Sequence, residues 1–398
     1  MKTNKELSAH QRLRLTTSLY LNYLVHGFSL IIIAQNMSNL SHTFNTTIAQ
    51  ISFIMSGTGI GRLLGYLLTA YLSDRYSRKT TIVSGMICYL LFAWGVILSP
   101  NLTVLYLITA LAGLGNSLLD AGTYTTLVEI NHGEGYATIL IKGFASIGEF
   151  ILPLLVSVLQ QNRLWYGWSF VIMGILILIN MLLLVPIKFP NMQVEIQEEA
   201  QKASRITKTK NIVLTVLLSI YGYISMALMI WFTQWITIYG KETLHYSNII
   251  SHGLMSAYSL GSMLGVISLY ILSRKKVSNT KLLISCNGIA LIAMTVVLIS
   301  KQSAIVNLAS LIFGFSSAGG VMQIGLTVLM NLHPAHRGLM TSLFYLFGSF
   351  ASISVPIISG QFSKVSLHLA LGADWGIALL ATIISCLIAL ILRQKQSK

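Results

Sequence analysis

Residues 102–127 read LTVLYLITALAGLGNSLLDAGTYTTL, and this stretch decides the class of fold. It is longer than the ~20 apolar residues that an α-helix needs to cross a bilayer. It also contains an acid, Asp120, seven residues before its end at Leu127. A carboxylate at that depth costs roughly 2.5–3.5 kcal/mol on insertion scales unless it is paired, protonated or hydrated. The stretch therefore predicts a transmembrane helix that carries a functional acid.

The whole chain has the composition of an integral membrane protein. Of its 398 residues, 54% are hydrophobic and only 9% are charged, whereas a soluble domain carries about 25% charged residues. Apolar runs of spanning length are centred near residues 27, 60, 88, 114, 149, 176, 225, 260, 290, 316, 350 and 380. The first run is too long for a signal peptide and lacks a small-residue cleavage site. We predict an all-α integral membrane protein with twelve transmembrane helices.

The basic residues are distributed unevenly between the loops. With the N-terminus inside, 20 of the 26 Lys and Arg residues fall in inner segments and four fall in outer loops. This is the positive-inside pattern of membrane proteins. The net charge of +15 thus lies beside the membrane, and no nucleic-acid partner is expected. We predict a multi-pass protein of the cell (inner) membrane with both termini in the cytoplasm.

The two halves of the chain resemble each other. The matched glycines, about 200 positions apart, are Gly61 with Gly261, Gly65 with Gly265, and Gly113 with Gly314. Small residues at a spacing of four predict close helix packing in lipid. We predict an N-terminal six-helix bundle over 1–187, a polar cytoplasmic linker over 188–210, and a C-terminal six-helix bundle over 211–398. Two parallel repeats of this kind are found in secondary transporters.

The segment between the second and third predicted spans carries a family signature. GRLLGYLLTAYLSDRYSRKTTI, residues 61–82, resembles the G-x-x-x-D-R-x-G-R-K loop of the major facilitator superfamily. Ala70 and Ser77 stand where that family usually has glycine. The charged positions that fit the signature are Asp74, Arg75, Arg78 and Lys79. The resemblance implies two pseudo-symmetric six-helix bundles and a cytoplasmic gate formed by these four residues.

Further motifs resemble a smaller group within that superfamily. NYLVHGF (22–28), NSLLDAGTY (116–124) and GFSSAGGVMQIGLT (314–327) are similar to inner-membrane transport proteins of the YdiM and YdiN type. More distantly, the Leu-Asp-Ala of the fourth span is similar to the Leu-Glu-Thr-Ala of proton-coupled fucose permeases. The acid at that place in the permeases takes part in proton transfer, so the resemblance implies the same role for Asp120.

Four ionisable side chains other than histidine fall within the predicted spans: Arg62, Asp120, Lys142 and Glu149. Left unpaired, they would together cost roughly 12 kcal/mol. Helix spacing places Asp120 and Lys142 at similar depth in adjacent antiparallel helices. We predict Asp120 as the principal proton-coupling acid, Glu149 as the second, and Arg62 and Lys142 as their buried charge partners. A purely structural ion-pair network is the alternative.

The corresponding positions of the second half are neutral, which assigns proton coupling to the first half. Ser262, Val321, Tyr345 and Ser352 stand where the first half has its four charges.

Polar and aromatic residues along several spans predict a solute site. The candidates are Asn22, His26, Asn116, Tyr223, Trp231, Gln234 and Gln323. Aromatic rings can stack on a cyclic solute while amides bond to its hydroxyl groups. Helix packing or anchoring at the membrane interface is the alternative for each aromatic residue. His26 has no Cys or His partner at ligand spacing, so neither a metal nor another cofactor is predicted.

We therefore predict a proton-coupled symporter that moves a small polar organic solute, a sugar or a cyclic hydroxy-acid, by alternating access. Its partners would be the solute, protons and membrane lipid, and we expect a monomer. Proton-driven efflux of a drug or metabolite is the alternative within this class. A membrane receptor that binds without transport is an alternative of another class. No nucleophile–base pair or metal cluster in the sequence supports an enzyme.

Overall fold

A computed structural model describes residues 9–72, 77–130, 136–187, 189, 208–274, 277–333 and 337–396. These residues form helices joined by turns, and no strand occurs among them. The chain separates into two compact units, Met1–Ile196 and Gln197–Lys398. Most of the predicted linker 188–210 lies outside the described residues, so the predicted domain limits stay a prediction.

The N-terminal unit is built from the first helices of the chain. These are α1 (Ala9–Gln35), the short α2 (Met37–Thr43), α3 (Ile48–Leu72), α4 (Arg78–Leu98), α5 (Leu102–Ile130), α6 (Tyr136–Gln161) and α7 (Trp168–Leu184). Helix α5 is the predicted fourth span, and it packs chiefly against α3 and α4. Helix α6 packs chiefly against α1 instead. Helix α5 is therefore much more closely packed against α3 and α4 than against α6.

The C-terminal unit has two interruptions in its helices. Its elements are α8 (Lys208–Ile238) with a π-helical turn (Tyr239–Thr243), α9 (Asn248–Arg274), α10 (Asn279–Ile299), α11 (Ser303–Phe313) with a π-helical turn (Gly314–Ala318), α12 (Val321–Leu332), α13 (Arg337–Ser363) and α14 (Leu367–Gln396). Helices α11 and α12 together form the predicted tenth span, which runs through the second π-helical turn.

The described residues contain ten helices that are long and apolar enough to cross a membrane. Two of these spans include a π-helical turn, and they cover Asn211–Thr243 and Ser303–Leu332. Helix α7 is a shorter apolar helix of 17 residues, and α9 has 27 residues but is less apolar. An all-α membrane fold is thereby confirmed, whereas the number of twelve spans stays a prediction.

The outer surface of the helices is apolar. Leu67, Leu107 and Leu182 are 60%, 62% and 68% exposed, whereas Asn116 and Glu149 are 4% and 6% exposed. A soluble protein shows the opposite arrangement, since water favours polar groups at the surface. Lipid tails are as apolar as leucine, so leucine side chains can lie on the outer surface. The polar groups can then lie inside each unit.

The repeated glycines lie where helices cross most closely. A Cβ atom on Gly61 would overlap the carbonyl oxygen of Ala110, where α3 crosses α5. A Cβ atom on Gly261 would overlap the carbonyl oxygen of Leu311, where α9 crosses α11. The reciprocal glycines are Gly113, against Thr58, and Gly314, against Tyr258. The predicted close packing is confirmed, and the sequence repeat has a physical cause in these two crossings.

The tenth span is broken near its centre, unlike the continuous α5 to which it corresponds. After the π-helical turn Gly314–Ala318, Gly320 adopts a φ of 122°, a value that favours glycine. A π-helical turn inside a helix is rare and often occurs near a functional site. Helix α12 then starts at Val321 without a capping side chain. Although α5 and the tenth span match in sequence, their backbone conformations therefore differ.

Candidate functional site

Asp120 lies where three helices of the N-terminal unit meet. Its Oδ1 atom accepts a hydrogen bond of 2.5 Å from the hydroxyl of Tyr23 on α1. Its Oδ2 atom accepts one of 3.0 Å from the hydroxyl of Tyr66 on α3. Tyr23 is only 3% exposed, and Asp120 itself is half-buried. The two oxygens of the acid thus link α5 to α1 and α3.

The Tyr66 hydroxyl connects Arg62 to Asp120. Its guanidinium donates a hydrogen bond of 3.3 Å to the Tyr66 hydroxyl and lies 5.7 Å from the centroid of the Tyr66 ring. Residues four apart on a helix are neighbours on its surface, so α3 itself holds these two side chains together. Arg62 also acts electrostatically on Asp120. The predicted charge pair is therefore bridged by a hydroxyl group.

A second polar cluster adjoins the first. The His26 ring is buried, and its Nδ1 atom lies 2.5 Å from the hydroxyl of Tyr89 on α4. The Asn116 side-chain nitrogen lies 3.1 Å from Nδ1 and 3.0 Å from Nε2 of the same ring. Asn116 precedes Asp120 by one helical turn. The Asn116 Oδ1 atom is buried and has no hydrogen-bond partner among the described residues.

Glu149 and Lys142 form a separate group on α6. Glu149 is buried, and Lys142, which is half-buried, acts on it electrostatically. Helix α6 approaches α1 closely here, because a Cβ atom on Gly148 would overlap the carbonyl oxygen of Leu24. Equal depth placed Lys142 beside Asp120 in the sequence reasoning, but the hydrogen bonds of Asp120 go to α1 and α3. The depth of a residue in the membrane does not determine which helices lie beside it. Helices α5 and α6 are in little contact with each other.

Asn22 is wholly buried in a contact between α1 and α7. Its Oδ1 atom accepts a hydrogen bond of 2.8 Å from Asn180, which also bonds to the Ser18 side chain. The contact holds two helices together, as a polar group in lipid commonly does. The role of Asn22 in solute binding stays a prediction.

The predicted solute residues of the C-terminal unit have different surroundings. Tyr223 lies 2.8 Å from the Ser354 hydroxyl on α13. The buried Trp231 donates its indole N–H to the Ala370 carbonyl, and the buried Gln234 donates to Ser359 at 3.4 Å. Gln323 is exposed within α12, where its amide donates to the Tyr345 hydroxyl at 3.3 Å.

Gln323 is therefore the most exposed of these four residues. Trp231 and Gln234 are 4% and 1% exposed, so contact with a solute would require α8 to separate from α13 or α14. The assignment of all four residues to a solute site stays a prediction.

Two of the predicted gate residues, Asp74 and Arg75, lie outside the described residues. Arg78 is the first residue of α4, and Lys79 donates a hydrogen bond of 2.5 Å to the Val185 carbonyl. Ser77, which replaces the usual glycine, caps α4 by accepting a hydrogen bond of 3.2 Å from the Thr80 amide. The serine thus has a structural use, and the gate itself stays a prediction.

The sequence reasoning missed four residues. Tyr23, Tyr66 and Tyr89 hold Asp120 and His26, and no role was predicted for any of the three. Asp374 was overlooked although the span Leu367–Leu392 contains it, so the count of four ionisable groups in the spans was wrong. The position of Tyr66 one turn from Arg62 was the signal available for it. Asp374 stands in a run that is otherwise apolar, which should have identified it.

The apolar helices and the half-buried acid among them are features of a membrane transporter. The profile of the Major Facilitator Superfamily matches residues 19–356. The chain therefore belongs to the Major Facilitator Superfamily, and it is a transporter of that superfamily.

Two Escherichia coli (strain K12) proteins are similar to the chain over almost its whole length. Inner membrane transport protein YdiM is 37% identical over 379 residues, which cover 95% of this chain and 94% of that protein. Inner membrane transport protein YdiN is 31% identical over 371 residues, which cover 93% and 88%. The predicted resemblance to this group is confirmed, and the relatives are inner-membrane proteins.

The crystal structure of a D-xylose–proton symporter shares the fold. The TM-score is 0.79 at 15% sequence identity, covering 94% of this chain and 97% of that chain. A likeness at this identity shows the fold of the transporter and not its solute.

Proposed function

We propose that the protein is a proton-coupled symporter of a small polar organic solute, a sugar or a cyclic hydroxy-acid, with Asp120 as the coupling acid. The observation that carries the proposal is the pair of tyrosine hydroxyls on Asp120, one from α1 and one from α3. A titratable group inside a membrane helix that ties two other helices together can translate proton binding into helix movement.

The hydrogen-bond chemistry of the carboxyl group explains how. A carboxylate only accepts hydrogen bonds, and here both of its oxygens accept from tyrosine hydroxyls. A proton added to either oxygen turns that oxygen into a donor, so the facing hydroxyl must rotate to become an acceptor or move away. Tyr66 also accepts from Arg62, so its hydroxyl is constrained on two sides. Protonation therefore changes the contacts that hold α5 against α1 and α3.

The surroundings of the acid support a polar solute. Asn116 lies one helical turn before Asp120 and contacts the His26 ring, and the Asn116 Oδ1 atom lacks a partner among the described residues. A hydroxyl group of a solute would satisfy that acceptor. Glu149 is the second proton-binding candidate in this proposal.

The test uses the full chain in proteoliposomes that contain a pH-sensitive dye. A panel of monosaccharides and cyclic hydroxy-acids is added outside, and proton entry is recorded for each. A symporter shows proton entry with its own solute, and an imposed inward proton gradient drives accumulation of that solute. Asp120→Asn should bind the solute and exchange it without accumulation.

Tyr106→Phe is the matched control, because it removes a hydroxyl from α5 about 21 Å from Asp120 along the helix. It should accumulate solute at the wild-type level. Accumulation by Asp120→Asn equal to that of Tyr106→Phe would refute the role of Asp120. Inward proton movement on solute efflux would identify a proton-driven exporter, and binding without any transport would identify a receptor.

A further inference from the structure

Asp374 is a buried acid in the C-terminal unit that the proposed function does not use. It lies in α14, seven residues after Leu367, and is 0% exposed. Both of its carboxylate oxygens are buried and have no hydrogen-bond partner among the described residues. Asp120, by contrast, has a hydroxyl donor on each oxygen. Asp374 therefore lacks, among the described residues, the hydrogen-bond donors that Asp120 has.

The surroundings of Asp374 are the apolar face of α14. Ala370 and Leu371, about one turn before it, are 0% exposed, and Ala378, one turn after it, is 1% exposed. The opposite face of α14 carries exposed apolar side chains such as Leu380, which is 47% exposed. Asp374 thus points into the protein and away from the lipid-facing side.

Hydrogen bonds between helices lie on either side of the acid but do not include it. Trp231 on α8 donates to the Ala370 carbonyl, and Asn287 on α10 donates to the Ser385 hydroxyl at 2.7 Å. Ser385 lies eleven residues, or about 16 Å, beyond Asp374 along α14. The contact of α14 with α8 and α10 is therefore fixed at both ends and encloses a carboxyl group between them.

The part of the chain that the structure describes provides no hydrogen-bond partner for the acid. The elements packed against α14 are α8, α10, α13 and the π-helical turn that follows α8. The titratable and charged side chains described on these elements, just after α13 and on α14 are Tyr221, Tyr223, Tyr239, Lys241, Glu242, Lys281, Cys286, Tyr345, Lys364, His368 and Cys386. None of them hydrogen-bonds to Asp374. Tyr239 and His368, whose hydroxyl and Nδ1 atoms are 3.1 Å apart, contact each other.

An ionised carboxylate without partners in such a place is strongly disfavoured, whereas the neutral acid costs far less. We propose that Asp374 is a proton-binding site of the C-terminal unit. Its carboxyl group binds a proton when the contact between α8, α10 and α14 closes around it, and releases the proton when that contact opens to water. The O–H bond forms from a carboxylate and a solvent proton, so no further reactant is needed.

The composition of the chain makes a direct test possible. Its aspartates are Asp74, Asp120 and Asp374, and there are no others. The double variant Asp74→Asn, Asp120→Asn therefore leaves Asp374 as the sole aspartate. Infrared spectra of this protein in lipid nanodiscs at neutral pH, with and without carbon-13 aspartate, should show an isotope-sensitive carboxylic-acid carbonyl band. Only a carboxylate signal in that sample would overturn the proposal.

A second measurement uses the linkage between proton binding and folding. The native chain holds one proton at Asp374 that the unfolded chain releases above about pH 4. The unfolding equilibrium constant of the wild type should therefore rise tenfold more per pH unit, between about pH 5 and 7, than that of Asp374→Asn. Parallel pH profiles would overturn the site. Neither measurement uses transport, so the outcome does not depend on whether Asp120 couples protons to the solute.

Discussion

Removing the Tyr23 hydroxyl should reveal how strongly Asp120 ties α1 to α5. The Tyr23 hydroxyl donates to Asp120 at 2.5 Å, and the tyrosine is 3% exposed. A hydrogen bond to a charged group contributes about 1.5–3 kcal/mol. A double-mutant cycle of Tyr23→Phe and Asp120→Ala should therefore give a coupling energy in that range, which is roughly a 10- to 150-fold change in the unfolding equilibrium.

The assay is the free energy of unfolding of the purified chain in mixed micelles, measured for the wild type, both single variants and the double variant. Tyr106→Phe is the control, because its hydroxyl lies 3.4 Å from Ser56, which keeps a second hydrogen bond of 2.7 Å to the Phe53 carbonyl. Its cost should stay within about 0.5 kcal/mol. Additivity of Tyr23→Phe and Asp120→Ala within about 0.5 kcal/mol would refute the proposed link.

Three further predictions concern packing, orientation and the solute. Gly61→Ala should destabilise the N-terminal unit strongly, because its Cβ atom would overlap the Ala110 carbonyl oxygen. Gly143→Ala, with nothing within 4 Å of its Cβ atom, should be neutral or stabilising by about 1 kcal/mol; equal thermal stability of the two would contradict this. A cysteine at position 241 should react with an impermeant reagent from outside and one at 202 should not, the reverse pattern indicating the opposite orientation. Gln323→Ala should weaken solute affinity while leaving thermal stability unchanged, and an unaltered affinity would remove Gln323 from the solute site.

The sequence predicts the helices well because a span needs only length and apolar composition. It also predicts the two glycine crossings, since a small residue repeated at the same position in both halves has few other uses in lipid. The choice of Asp120 as a candidate functional acid followed from the cost of a charge at that depth, and its role stays a prediction. These three predictions depend on the length of an apolar run, its composition and the position of a residue along it, all of which can be read directly from the sequence.

The partners of Asp120 were harder to predict because they depend on which helices are neighbours. Depth along a helix placed Lys142 beside the acid, but rotation and lateral packing place Tyr23 and Tyr66 there instead. Tyrosine is common in membrane helices, where it packs against neighbours or anchors the helix at the interface. The presence of a tyrosine in a span therefore does not indicate a hydrogen-bonding role. Asp374 required a check for charge within every apolar run, including the one nearest the C-terminus.

The break in the tenth span gives that span a pivot that α5 lacks. Leu332, at the end of α12, lies twelve residues beyond Gly320, which is about 18 Å along a helix. A rotation of about 10° at the glycine would carry that end through about 3 Å while α11 stays in place. The continuous α5 can reach a similar displacement only by tilting along its whole length, which disturbs its crossing with α3. Two segments that match in sequence thus differ in the movement that their backbones permit.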